Sequence, residues 1–286
     1  MALNFSEVGV IGSGQMGGGI AQVLAAYGAK VKLYDIAEAQ LAKARAGIEK
    51  SLQKLSEKGK LGSAPSEVMA RISFISKLED FADSDLVVEA ATENFEVKKE
   101  LFKKLDQIIK PAAMIGSNTS SISITKLAAV TKRADKFIGI HFMNPVPLMK
   151  LVEVISGTLT SPDTLSRIQV LVQGIEKTII HSKDFPGFIV NRILMPMINE
   201  AIYAVYEGVG SKEDIDNGMK LGTNHPMGPL ELADFIGLDT CLAIMNVLHE
   251  GLGDSKYRAC PLLKNYVAAG LLGRKSGRGF YEYPAA

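Results

Sequence analysis

Cysteine is scarce in this chain. Only Cys241 and Cys260 occur among 286 residues, and neither lies near a histidine at ligand spacing. That spacing excludes a clustered zinc motif and leads us to expect two reduced thiols in a cytoplasmic protein. Charge of one sign is lacking too. With 32 Lys and Arg against 31 Asp and Glu the net charge is +1, which gives no electrostatic case for nucleic acid or an anionic membrane as partner. No apolar run reaches the roughly 18 residues needed to cross a bilayer. The longest, residues 187–198, is broken by Asn191, Arg192 and Pro196. The opening residues Met-Ala-Leu-Asn-Phe-Ser-Glu hold no basic segment, so no secretory signal is expected. Internal repeats and low-complexity segments are also missing.

What is present is ordinary globular composition, 47% hydrophobic and 22% charged, at a length that suggests about two domains. In the first half, β-branched runs alternate with segments of helical period. Strands are predicted over 8–11, 31–34, 72–75, 86–89, 114–116 and 137–140. Helices are predicted over 16–27, 37–58, 95–109 and 124–130, with Val97, Leu101, Leu105 and Ile108 as the apolar face of the third. This alternation predicts a doubly wound, mostly parallel α/β sheet covered on both faces. Runs that are apolar throughout, such as Leu86-Val87-Val88, fit strands buried on both sides. Further strands are expected at 151–155 and 178–181, around a helix over 162–176. From Gly187 onward the pattern is helical, over 189–206, 212–221, 230–250 and 262–269, with Pro196 expected to bend the first of these. The expected division is a nucleotide-binding domain over 1–185 and an all-α domain over 186–286.

Gly12-Ser13-Gly14-Gln15-Met16-Gly17 follows the first strand and opens the first helix. A G-x-G-x-x-G hexamer alone is a weak signal, but here it has its full strand–turn–helix–strand context. The first Gly permits the turn, the second lets a pyrophosphate approach the backbone, and the third lets helix and strand pack closely. The helix N-terminus, with Gln15 and Met16, then faces the anion. Asp35 ends the second strand, 18 residues beyond Gly17 (35 minus 17). A carboxylate there can accept from the adenosine ribose hydroxyls and repel a 2′-phosphate, which favours NAD. The same residues, Asp35-Ile36-Ala37-Glu38, also read as a capping box for the next helix.

Four histidines occur. His181, His225 and His249 fit structural or surface roles. His141 leaves the strand 137–140 at its carboxyl end, the edge where open α/β sheets bind ligands. Glu153 lies inside the apolar run 151–155, where a carboxylate is costly unless paired. His141 is a sensible partner for it, and a nearby Lys or Arg is the alternative. Lys50, Lys54 and Lys58 recur every fourth residue on the second helix, with Ser51 beside them. That stripe is either a solvated face or an anion site.

The strings His141-Phe142-Met143-Asn144-Pro145-Val146-Pro147 and Lys150-Leu151-Val152-Glu153-Val154 resemble the 3-hydroxyacyl-CoA dehydrogenase family. So do Ser117-Asn118-Thr119-Ser120-Ser121, Pro186-Gly187-Phe188-Ile189-Val190-Asn191-Arg192, Glu213-Asp214-Ile215-Asp216, His225-Pro226-Met227-Gly228-Pro229 and Gly277-Arg278-Gly279-Phe280-Tyr281. The resemblance spans nearly the whole chain. Its length resembles the stand-alone bacterial members that act on 3-hydroxybutanoyl-CoA, rather than the multifunctional proteins of β-oxidation. The resemblance implies a Rossmann-type domain, NAD as cofactor and an acyl-CoA substrate, with dimerisation through the helical domain. It implies that His141 is the general base, oriented by Glu153, and that Ser120 and Asn191 bond the substrate's oxygens. It implies Glu93, Lys98, Ser120, Asn144 and Lys275 as NAD contacts, and Ser51 and Lys58 as CoA contacts, which Lys54 joins by geometry. Two other readings share the architecture. One is a dehydrogenase of a free small hydroxy acid, whose relatives use a catalytic Lys. The other is a dinucleotide-binding protein without catalysis, which would need one of Ser120, His141, Glu153 and Asn191 to be lost.

Overall fold

The computed structural model describes residues 4–284. Two compact units divide it, Met1–Phe185 and Pro186–Ala286. The first contains β1 (Glu7–Ile11), α1 (Gln15–Ala26), β2 (Lys30–Tyr34), α2 (Glu38–Glu57), α3 (Pro65–Ala70), β3 (Ile72–Ile75), β4 (Leu86–Glu89) and α4 (Phe95–Ile108). It continues through β5 (Met114–Ser117), α5 (Ile124–Ala128), β6 (Phe137–Phe142), β7 (Leu151–Ser156), α6 (Pro162–Gly174) and β8 (Thr178–Lys183). The strands form one eight-stranded sheet in the order β3-β2-β1-β4-β5-β6-β7-β8. All neighbours are parallel except β6 and β7. The order reverses between β1 and β4, so a crevice opens at their carboxyl ends, where such sheets bind ligands. Central strands buried at every position, β4, β5 and β6 among them, explain the unbroken apolar runs, since helices cover both faces. Side-chain caps mark several helix starts: Asn94 on α4, Ser123 on α5 and Ser161 on α6, each satisfying an amide that the helix itself leaves unbonded.

Three local expectations change. His141 does not follow the strand but lies within it, because the β6 ladder with β7 runs on to Phe142. The buried face of α4 is Lys98, Phe102 and Leu105; Val97 is 50% exposed and lines a cavity beside Leu101. The capping box at residues 35–38 does not form. Ala37 is the N-cap of α2 without a side-chain bond, and Asp35 instead accepts from Ala37 N–H at 3.1 Å and from Ser13. The short helix α3, with Pro65 at its first turn, is too brief to show a helical period in the sequence.

The second unit is helical: α7 (Val190–Tyr206), α8 (Lys212–Gly222), α9 (Pro229–Ile236), α10 (Leu238–Leu252) and α11 (Pro261–Ala268). Its core joins Met195, Ile198 and Ile202 to Leu230, Met245, Leu248 and Leu263. Pro196 lies inside α7. The single helix expected over 230–250 is two, because Gly237 at φ 101° stops the ladder and α9 and α10 meet at 98°. A Cβ there would sit 3.0 Å from the Lys275 Nζ, the movable end of a side chain, so it is the backbone angle that calls for glycine. Among the described residues no single helix is long and apolar enough to cross a bilayer.

Candidate active site

The glycine turn is built as a cradle. Gly12 takes φ 94° and a side chain on it would strike the backbone of Ala90 on β4's extension. A Cβ on Gly17 would fall on the carbonyl oxygen of Gly12. At Gly14, by contrast, an added Cβ meets nothing within 4 Å; the space beside it is open. Gly14 is the N-cap of α1 and no side chain caps that helix, so the first-turn amides face an anion-sized gap at the positive end of the helix. A cavity of about 570 Å³ begins there, lined by Gly12, Gln15, Met16, Asp35, Ile36 and Val97 among others. Asp35 Oδ2 accepts from Ser13 N–H at 2.9 Å and from Ser13 Oγ at 2.8 Å. Burial pushes the Asp35 carboxyl up, but bonds from Ser13, Ala37 and Ile36 outweigh it and hold the group below the usual carboxylate range. The cavity thus presents a fixed anion at one rim and apolar Ile36 (86% exposed) and Val97 beside it, a fit for an adenosine: ribose hydroxyls to the carboxylate, base against the aliphatic chains.

Sequence reasoning missed Glu89. It ends β4 at 0% exposure and is the hub of the neighbouring loops. Its carboxylate accepts from Ala91 N–H at 2.7 Å and from Ser117 Oγ at 2.7 Å, and it pairs with the Lys98 ammonium. Lys98, 1% exposed, lies 3.6 Å from Glu93 on its other side. Glu93 Oε1 in turn accepts from Thr119 Oγ1 at 2.6 Å, Ser120 N–H at 3.0 Å, Ser121 N–H at 3.1 Å and Ser121 Oγ at 2.8 Å. Burial pushes Glu93 up, but the Lys98 charge and these donors pull it below its ordinary range. One ionised carboxylate thereby organises the turn that carries Ser120. The signal that singled out Glu153, a carboxylate in a buried strand, was equally present at Glu89.

His141 and Glu153 face each other across the antiparallel pair β6–β7, so both side chains leave the same face of the sheet. Nδ1 of His141 stands 2.8 Å from Glu153 Oε2, with Glu153 fully buried and His141 8% exposed. A hydrogen on Nδ1 directed at Glu153 makes Nε2 the acceptor nitrogen of the neutral ring. The Ser120 loop is registered to this strand, because Asn118 Oδ1 accepts from Phe142 N–H at 2.9 Å.

Ser51 lines a second groove of about 380 Å³ together with Gly14, Gln15, Lys43, Asn144 and Pro147. Lys50, Lys54 and Lys58 stand on the exposed side of α2 and at its C-cap, outside the residues lining that groove, whereas Lys43 is within them. Asn191 and Lys275 belong to the second unit. Asn191 is buried in the first turn of α7, and Lys275 pairs with Asp239. His181 bonds Ser156 Oγ at 2.9 Å on the edge strand β8, and His249 lies in the last turn of α10. Cys241 and Cys260 are buried free thiols.

A doubly wound sheet with a glycine cradle at its switch point and a His–Glu pair at its carboxyl edge defines a dinucleotide-dependent oxidoreductase. The chain belongs to the 3-hydroxyacyl-CoA dehydrogenase family. Residues 7–185 match the NAD-binding domain of that family and residues 187–283 its C-terminal domain. It is 61% identical to the probable 3-hydroxybutyryl-CoA dehydrogenase of Deinococcus radiodurans over 97% of this chain and 100% of that one. It is 57% identical to the 3-hydroxybutyryl-CoA dehydrogenase of Bradyrhizobium diazoefficiens over 100% and 98%. The crystal structure of (S)-3-hydroxybutyryl-CoA dehydrogenase from Ralstonia eutropha superposes with a TM-score of 0.96, at 51% identity over 99% of this chain and 100% of that one.

Proposed function

We propose that this protein is an NAD-dependent dehydrogenase interconverting (S)-3-hydroxyacyl-CoA and 3-ketoacyl-CoA, with 3-hydroxybutanoyl-CoA and acetoacetyl-CoA as its substrate pair. The observation that carries the reading is the buried His141–Glu153 pair at the carboxyl edge of a nucleotide-binding sheet. The Gly12–Gly17 cradle and Asp35 would hold NAD, whose nicotinamide would take the hydride from C3. His141 Nε2 takes the proton of the C3 hydroxyl as the ketone forms and returns it in reduction. Glu153 orients the ring through Nδ1 and stabilises its protonated form, and such base catalysis contributes about 10²–10⁴-fold. Ser120, fixed by Glu93, and Asn191 supply hydrogen bonds to the substrate's oxygens. Glu93, Lys98, Asn144 and Lys275 serve the cofactor, and Ser51, Lys54 and Lys58 serve the CoA moiety. A dehydrogenase of free hydroxy acids built on a catalytic Lys is disfavoured by the imidazole–carboxylate pair.

The protein works as a cytoplasmic homodimer joined through its helical unit. The exposed Ile193, Tyr206, Val209, Leu221 and Phe235 of that unit support the dimer, and light scattering of the purified protein measures it. The test of function is NADH oxidation with a panel of 3-ketoacyl-CoAs of increasing length, beside free acetoacetate. Turnover of acetoacetyl-CoA and none of the free acid is expected; turnover of free acid alone would overturn the reading.

A further inference from the structure

The segment joining the two dyad strands, residues 143–150, contains one turn closed on Pro145. Leu148 and Met149 N–H both bond the carbonyl of Pro145, each at 3.0 Å. One turn has no following turn to use its last carbonyls, so these are left to outside donors. Lys177, just before β8, supplies one: its ammonium donates to Val146 O at 2.8 Å and Met149 O at 2.6 Å. Thr178 N–H, the next residue, holds Lys150 O at 2.7 Å. On its opposite side the turn is pressed against α1. Val146 is 2% exposed, and a Cβ on Gly19 would stand 2.9 Å from its Cβ. The turn is therefore gripped between a glycine on one side and an ammonium on the other.

The approach of Lys177 is itself built at a cost. Glu176 takes φ 55°, a left-handed conformation that the position after a helix normally gives to glycine or asparagine. Its backbone closes α6, with Glu176 N–H on Gln173 O and Lys177 N–H on Val172 O. Its carboxylate accepts from Tyr27 Oη at 2.9 Å, at the end of the helix that begins in the cofactor cradle. Strain of this kind persists where surrounding contacts hold it, and it marks positions worth a functional question. Burial also pushes the Lys177 ammonium below its ordinary range.

What the grip holds is a wall shared by two grooves. Pro147 lines the groove that contains Ser51 and also a second groove of about 400 Å³, which Leu148 and Met149 line together with Leu55, Lys60 and Leu61. Ser51 and Leu55 lie one turn apart on α2, so residues of that helix and of the turn line both grooves. The cofactor side of the connection is held independently, by the β6 ladder and the Asn118–Phe142 bond.

We propose that Lys177 is a positioning residue for the acyl-CoA: it holds the 145–149 turn as a rigid wall of the groove beside Ser51 and so governs capture of the CoA-bearing substrate more than cofactor binding, and not the proton transfer at His141. This rests on the groove beside Ser51 being the CoA site.

The test compares Lys177→Met and Lys177→Arg with the wild type. For Lys177→Met the KM for acetoacetyl-CoA rises about tenfold, kcat changes less than about twofold, the Kd for NADH rises clearly less than that KM, and Lys177→Arg recovers most of the loss. Amide hydrogen exchange at Leu148 and Met149 in the same variants reads the turn directly, without activity. Faster exchange there in Lys177→Met, with protection elsewhere unchanged, is expected. Unchanged exchange overturns the grip. Faster exchange with an unchanged KM overturns its role in substrate capture, as does an equal loss for NADH and acetoacetyl-CoA. A wild type inactive on every CoA thioester would refute the proposed function instead, while the exchange data would still decide whether Lys177 holds the turn.

Discussion

Glu153 Oε2 lies 2.8 Å from Nδ1 of His141, and the two residues are direct partners in the only antiparallel pairing of the main sheet's described strands. The antiparallel step matters. In a parallel pair of this length a helix would have to intervene between the strands, whereas here a short connection brings the strands back against each other. The dyad is therefore fixed by backbone register, and both members are held without depending on a flexible loop.

His141→Gln is expected to lower kcat by about 10²–10⁴-fold while leaving NADH affinity nearly unchanged. Glu153→Gln should lower kcat as well, and the double variant should be little worse than the poorer single one, because paired groups that act as a unit are not additive. Steady-state kinetics beside thermal melts separate this from a structural histidine, which would lose melting temperature and keep its rate per folded molecule.

The glycines of the cradle should separate by function. A Cβ at Gly14 meets nothing within 4 Å, while one at Gly17 meets the Gly12 carbonyl. Gly14→Ala should melt with the wild type yet bind NADH at least tenfold more weakly, since the methyl enters the space a pyrophosphate needs. Gly17→Ala should be destabilised before any question of binding arises. Calorimetric titration and melting curves check both.

Asp35 is held ionised by Ser13, Ala37 and Ile36, so a fixed negative charge meets any 2′-phosphate. Wild type should prefer NADH to NADPH, and Asp35→Ala should narrow that ratio by about 10–100-fold. Equal use of both cofactors by the wild type would leave Asp35 with only its bonds to the turn.

Acid stability should depend on Asp85. Burial pushes its carboxyl up, but Lys110 at 2.6 Å and the donors of Ser6 and Glu7 bring it down to about 2. A carboxylate depressed on folding stabilises the native state above its unfolded value. That stability is lost as pH falls from about 4 to about 2. Asp85→Asn should cost on the order of 1 kcal/mol at neutral pH, allowing for solvent screening of a partly exposed pair. Its stability should also fall less steeply across that acid window. Denaturant titrations at pH 7, 4 and 3 measure both.

Local chemistry was legible in the residues themselves. Strand and helix periods, the glycine hexamer, Asp35 at the end of its strand, and charges inside apolar runs are all written in neighbours along the chain, because steric and hydrogen-bonding preferences act over a few residues. Only the tertiary structure decided what those residues meet. It turned Val97 out of the core into a cavity that Asp35 also lines, broke the 230–250 helix where Gly237 takes a positive φ, and replaced a capping box with bonds that Ser13 donates to Asp35. It gathered Glu89, Lys98, Glu93 and Ser120 into one network, and gave the 145–149 turn to Lys177. Apart from the Gly237 angle, these are contacts between separate elements, chosen by strand order and burial. An unpaired buried charge is costly, so the chain settles where such groups find partners, and which partner is nearest is set by the fold as a whole.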